Sequence, residues 1–336
     1  MPAPPKRIVV SRTDRIGDVV LSLPLLGLLR QRWPQAELWF LTRRYTRPIV
    51  EASAHVDRVI EWPDHDGATD DDRTAVLSET GADVLLHLFP RREIAVAGRR
   101  AAIPRRIGTS RRWFHWLTCT ERVSASRKRS TLNEAQLNLK IAAPLLDRTD
   151  YALAELVPHI GLTRIPTLAP RWSNLIDPHR FNLLLQPMTG GTVPAWPLER
   201  FAALAGILPA DRYRIFITGS SSEGAALRPW LATLPPHIVD VTGQPLDQLM
   251  SFAAAADGVV AASTGPLHIA AALGVRTLGL YPARETRVLG RWHPLGAHAE
   301  VVIPADDTAG DVDQALDGIA VPQVLAVLER WRAAVR

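Results

Sequence analysis

A chain of 336 residues, with 47% hydrophobic and 22% charged residues, is long for one core and comfortable for two domains, and has the balance of a soluble globular protein. Its one cysteine, Cys119, excludes an internal disulfide framework and any multi-cysteine metal site. The formal net charge is +5, and no apolar run reaches the ~18 residues needed to span a bilayer.

The opening "MPAPPKR" lacks the apolar core of a signal peptide, so a cytoplasmic location is expected. Strands are predicted over Ile8–Ser11, Glu37–Leu41, Arg58–Glu61 and Val84–Leu88, with helices over Asp18–Trp33, Thr46–Ala52 and Asp72–Glu79 between them. This βαβα order implies a parallel sheet with helices on both faces. Pro24 lies inside the first helical run, so a kink or late start is expected there. The turn "RTDRIGD" before it holds Asp14, Arg15, Gly17 and Asp18. Asp18 is read either as a helix N-cap or as a catalytic carboxylate.

Between Arg91 and Arg129 stand twelve basic residues, opposed only by Glu93 and Glu121. The aromatic run "RRWFHWL" (Arg111 to Leu117) is set among them. The combination suits an anionic membrane surface, nucleic acid or a phosphorylated substrate, and a plain solvated arginine-rich face is the alternative. A helix-like segment, "LNEAQLNLKIAAPLL", follows from Leu132. Residues 1–164 are read as the N-terminal domain and the proline-rich 165–180 as an interdomain linker.

The second half repeats the pattern. Strands are predicted over Asn182–Gln186, Tyr213–Thr218, Gly258–Ala261 and Arg276–Tyr281, and helices over Leu198–Ile207 and Asp247–Ala256. Residues 181–320 form the C-terminal domain, and 321–336 form an amphipathic helix expected to pack back on the N-terminal domain. Two doubly wound α/β domains facing a cleft place ligands beyond the carboxyl ends of the strands.

Three strand-to-helix turns are rich in Gly, Ser and Thr. In "STGPLHIAAALG", from Ser263, Gly265 permits close approach and Pro266 suits a first helical turn, leaving amides and the positive dipole end facing an anion. A simple cap by Ser263 or Thr264 is the alternative, and His268 reads more readily as structural. The turn "TGGTVPAWP", with Thr189, Gly190 and Thr192, either bends around a phosphate or merely connects. In "TGSSSEGAA", with Gly219, Glu223 either accepts ribose hydroxyl protons or complements a helix dipole. The "DDD" of Asp70–Asp72 reads as a solvated helix start rather than a cation site, and the histidines lack ligand spacing, so no metal is expected.

The ordered set "RTDRIGDVVLSLPLL", "NEAQLNL", "AWPLERFAALA", "TGSSSE" and "STGPLHIAAALGV" resembles glycosyltransferase family 9, the bacterial lipopolysaccharide heptosyltransferases, over nearly the whole chain. The resemblance implies a GT-B fold, two Rossmann-like domains with the acceptor in the first and the nucleotide sugar in the second. It also implies inverting, metal-independent and cofactor-free transfer of heptose from ADP-heptose to the lipopolysaccharide inner core. By position, the family's catalytic aspartate falls on Asp18, with Gly17 and Arg15 on the acceptor side. The diphosphate-binding turn falls on Thr264, Gly265 and Pro266, with Ser263 before them and His268 behind. The family's tryptophan matches Trp196, and its acidic residue matches Glu223. Pro194 stands where the family commonly has lysine and Ser263 where it has aspartate; Arg284, Arg287 and Arg291 are the cations nearest to replace the missing charge.

On this reading the arginine stretch, Arg105, Arg106, Arg111 and Arg112 above all, meets an anionic lipopolysaccharide-core acceptor or the inner-membrane surface, and no nucleic acid is expected. The rivals are a nucleotide-sugar epimerase of similar architecture and a non-catalytic membrane- or nucleic-acid-binding protein.

Overall fold

The computed structural model describes residues 3–127, 130–191, 193–282, 286–305 and 315–334, with the side chains of 286–288 left undescribed. Thr192, Arg284, Lys128, Arg129 and the Arg287 side chain therefore lie outside the described residues. The chain divides into two compact units, Met1–Arg164 and Ile165–Arg336.

The first unit carries strands β1 (Arg7–Ser11), β2 (Glu37–Thr42), β3 (Arg58–Glu61), β4 (Val84–His87), β5 (Arg105–Thr109) and β6 (Glu121–Val123). They form one parallel sheet in the order β3-β2-β1-β4-β5-β6. The second unit carries β7 (Phe181–Gln186), β8 (Tyr213–Ile217), β9 (Val239–Asp240), β10 (Gly258–Ala262), β11 (Arg276–Leu280) and β12 (Ala299–Val302), ordered β12-β11-β10-β7-β8-β9. Both orders are the doubly wound dinucleotide-fold arrangement, with the winding direction reversing between β1 and β4 and between β7 and β10.

Both faces of each sheet are covered, so the central strands are buried and mostly apolar. In β7, Phe181, Leu183 and Leu185 join one apolar cluster while Leu184 joins another with Phe216 and Phe252. The run 18–33 forms two helices, Ile16–Val20 and Leu23–Arg32, with Pro24 in the first turn of the second. The break at Leu21–Ser22 follows from the proline, which has no N–H to continue the helix through that point. The acidic triplet opens the helix Asp70–Ser78, with Thr69 and Asp72 in a reciprocal capping box.

The linker expectation needs correction. Residues 165–180 are not a free linker: Leu168, Trp172, Leu175 and Ile176 pack on the second unit's core, around the short helix Pro170–Ser173. Ser251 donates to the Pro166 carbonyl at 2.7 Å and Ala169 N–H to Gln248 at 2.8 Å. The terminal helix Val321–Ala333 buries Val324, Val327, Leu328 and Trp331 in the core of the second unit. The Trp331 indole also donates to Glu300 at 2.7 Å.

Candidate active site

In the first unit the chain leaves β1 through Arg12, whose N–H still pairs with the Leu41 carbonyl at 3.0 Å. The Arg12 side chain is 1% exposed and reaches Asp14 at 2.7 Å, Asp18 at 2.8 Å and Glu134 at 2.8 Å. Its remaining contact is the Asn138 carbonyl oxygen at 2.9 Å. Glu134 and Asn138 lie one turn apart on the helix Glu134–Ile141, so one face presents both to the guanidinium. Arg127 closes the cluster, donating to Glu134 at 2.8 Å and to the Leu88 carbonyl beyond β4 at 2.7 Å. The cluster thus spans the carboxyl ends of β1 and β4, where the winding reverses.

Among the described residues, Arg12 and Arg127 meet the carboxylates of Asp14, Asp18 and Glu134 there. Burial works against the charge on Arg12, but Asp14, Glu134 and Asp18 outweigh it and hold Arg12 above its ordinary value. Burial likewise pushes the Asp14 carboxyl up to about 6, against the pull of Arg12 and with help from the neighbouring Asp18 charge.

The N-cap reading of Asp18 is corrected. The helix begins at Ile16 with Arg15 as its N-cap, and Asp18 sits in the first turn with its carboxylate gripped by Arg12. Gly17 is an ordinary helical residue without positive φ, and Arg15 is exposed. Arg12, Arg127, Glu134 and Asn138 escaped the sequence reading, although Arg12 and the "NEAQLNL" residues stand beside or inside the motifs singled out.

The arginine stretch divides in two. Arg105 on β5 is committed to Glu121 on β6, at 2.7 and 3.1 Å. Arg106 donates to the carbonyls of Thr118 (2.6 Å) and Ile103. Both tie strands and loops together. Arg111 and Arg112 are exposed, ahead of the helix Trp113–Thr118.

In the second unit the turns after β7, β8 and β10 stand on adjacent strands. After β10, Thr264 caps the helix Gly265–Ala272 through its backbone alone: its side chain makes no cap bond, and among the described residues its buried hydroxyl has no hydrogen-bond partner. Pro266 is in the first turn, Ser263 to Pro266 are half-buried, and His268 is 2% exposed. The result is a partly open helix start whose first amides point away from the helix. Behind it, the buried Tyr281 hydroxyl donates to the Trp292 carbonyl at 2.5 Å.

The turn after β7 is bent by Gly190 and Gly191, with φ of +60° and +68°, where a side chain is strained. Thr189 donates to the Val193 carbonyl at 2.8 Å. A Cβ on Gly190 would lie 3.9 Å from Glu223 Oε1, and one on Gly219 would lie 3.3 Å from Glu223 Oε2. Glu223 therefore stands between the two turns. Its Oε2 accepts from Ser220 N–H at 2.7 Å in a capping box, which realises the dipole-side alternative. Trp196 is corrected from nucleotide contact to core: it is 1% exposed, donates to the Ile319 carbonyl at 2.9 Å and packs edge-on to Phe201.

Comparison with known proteins agrees with this layout. Residues 76–313 match the model of glycosyltransferase family 9 (heptosyltransferase). The chain is 25% identical over 314 residues to lipopolysaccharide heptosyltransferase 2 of Escherichia coli, covering 82% of each protein. Its fold resembles a glycosyl transferase family 9 structure from Veillonella parvula, with a TM-score of 0.81 at 18% identity over 98% of this chain and 97% of that one. It also resembles E. coli ADP-heptose lipopolysaccharide heptosyltransferase II, with a TM-score of 0.76 at 22% identity over 98% and 99%. The chain belongs to glycosyltransferase family 9 and is a glycosyltransferase with the GT-B fold.

Proposed function

We propose that the enzyme transfers a heptose, with inversion, from ADP-heptose to the anionic inner core of lipopolysaccharide, and that Asp18 is its general base. The observation that carries the reading is the grip of the buried Arg12 on Asp18, because a base must be held in one place to meet a hydroxyl. The acceptor hydroxyl gives its proton to Asp18 as its oxygen attacks the anomeric carbon. The bond to the diphosphate oxygen breaks on the opposite face, and one displacement inverts that centre.

The departing diphosphate gains negative charge. The Thr264–Pro266 helix start offers it the Gly265 amide and a positive dipole end, with the Thr264 hydroxyl, unpartnered among the described residues, as a further donor. Thr189, Gly190, Gly219 and Glu223 supply the neighbouring donor-side turns. Arg291, in the helix Thr286–Trp292 and stacked on Trp292 at 4.3 Å, is the described arginine that can add charge where the family's lysine is replaced by Pro194. The reading assigns no step to a metal or cofactor. Lipopolysaccharide assembly also fits the cytoplasmic face of the inner membrane; among the described residues no helix is long and apolar enough to cross a membrane.

Calorimetric titration with ADP-, GDP-, UDP- and dTDP-sugars tests the donor side, with binding of the ADP-sugar expected. Binding of none of them, or release of an isomerised sugar in the absence of acceptor, contradicts the proposal.

A further inference from the structure

The helix Trp113–Thr118 presents an unusual outer face. Trp113, Trp116 and Leu117 are 65%, 60% and 62% exposed, and their spacing of three and four residues puts them side by side. The opposite face is anchored. His115 and Thr118 are buried, and the His115 ring is bonded to Thr109 through Nδ1 at 2.9 Å. The Trp116 indole is oriented by its bond to the Ser110 carbonyl at 3.0 Å, and Arg99 donates to the Leu117 carbonyl at 2.9 Å. The apolar side chains are therefore held outward by a fixed platform.

Cations frame them. The Arg122 guanidinium lies over Trp116 at 4.6 Å and that of Arg92 over Trp113 at 5.8 Å, while Arg111 and Arg112 precede the helix. All four are exposed, and among the described residues none has a carboxylate within ion-pairing distance. Two indoles and a leucine left in water within a ring of unpaired arginines match neither a solvated charge face nor a protein core. Indoles prefer the level of lipid headgroups, and unpaired arginines are drawn to anionic ones.

We infer that this face, Trp113, Trp116 and Leu117 framed by Arg92, Arg111, Arg112 and Arg122, docks the enzyme on an anionic lipid surface. The choice of lipid over another polyanion rests on the proposed lipid-borne acceptor. Trp113, Trp116 and Leu117 enter the headgroup layer, and the arginines lie against lipid phosphates. This narrows the basic stretch to one helix and its rim and leaves Arg105 and Arg106 with structural work.

Sedimentation of the full chain with phosphatidylglycerol-rich vesicles, against phosphatidylcholine vesicles, tests the inference. The wild type is expected to partition onto the anionic vesicles only, more weakly as salt rises. A Trp113→Ser/Trp116→Ser variant, and separately an Arg92→Gln/Arg122→Gln variant, should each lose on the order of tenfold in partitioning. The tryptophan variant should keep the wild-type melting temperature and ADP-sugar affinity. Wild-type partitioning by both variants, or no preference for anionic vesicles, overturns the inference. So does retention of a single-stranded oligonucleotide in place of vesicles. Vesicle binding needs neither donor nor acceptor, and calorimetry needs no lipid, so failure of the docking surface and failure of the proposed transferase reading are read separately.

Discussion

At the scale of residues, the cluster around Arg12 shows what a short motif conceals. Asp18 was singled out through the family's glycine-aspartate turn, but the arginine that holds it was not. Arg12 and Glu134 meet across 122 positions of sequence, and the burial that makes their pairing strong arises only in the folded chain. A buried ion cluster tolerates no missing partner, which explains why charged residues crowd this turn beyond the needs of a helix start. Asp14 gives the cluster a pH dependence. Its carboxyl, raised to about 6, is charged above that pH and neutral below it. Protonation removes one of the charges that fix the Arg12 guanidinium, and with it loosens the hold of Arg12 on Asp18. The acid limb of kcat/KM is therefore expected to fall as pH drops through about 6, and Asp14→Asn should abolish that limb in a pH–rate profile.

Among the elements, the alternation of buried strands and helices was readable from apolar runs, and the helix break before Pro24 from the chemistry of proline. β5 and β6 were not. "RRIGT" and "ERV" are short and arginine-bearing, and their pairing is fixed by neighbours such as Arg105 with Glu121 rather than by local pattern. The terminal helix was readable as amphipathic, but its burial in the second unit's core was not, because an apolar face does not name its partner. Packing also reverses one helix preference. Gly27, inside the helix Leu23–Arg32, is a residue that alanine would improve by about 1 kcal/mol on propensity alone. Yet a Cβ there would press inside van der Waals contact of the His159 carbonyl oxygen, a backbone atom that cannot turn away. Gly27→Ala is expected to lower stability by about 1–3 kcal/mol in urea unfolding.

Across the whole molecule, two units repeat one winding order, and each places its candidate chemistry where the winding reverses. Stability carries a histidine-linked signature. His87, at the end of β4 and fully buried, is held down to about 3 by burial, then by His115 and Arg106. The unfolded chain takes up a proton there below about pH 6.5 that the folded chain refuses, so folded stability falls as pH drops from 6.5 towards 3. Asp14, raised rather than depressed, acts in the opposite sense between its ordinary value and about 6. Replacing His87 by leucine isolates the first effect, since among the described residues its ring nitrogens have no hydrogen-bond partners to lose. Between pH 7 and pH 5, His87→Leu should lose about 2 kcal/mol less stability than wild type. The central claim concerns Asp18, and initial rates of transfer from ADP-heptose to heptose-deficient lipopolysaccharide core test it most directly. Wild type should form the product, and Asp18→Asn should lower kcat by about 10²–10⁴ with calorimetric donor affinity unchanged; undiminished transfer by Asp18→Asn would contradict the account.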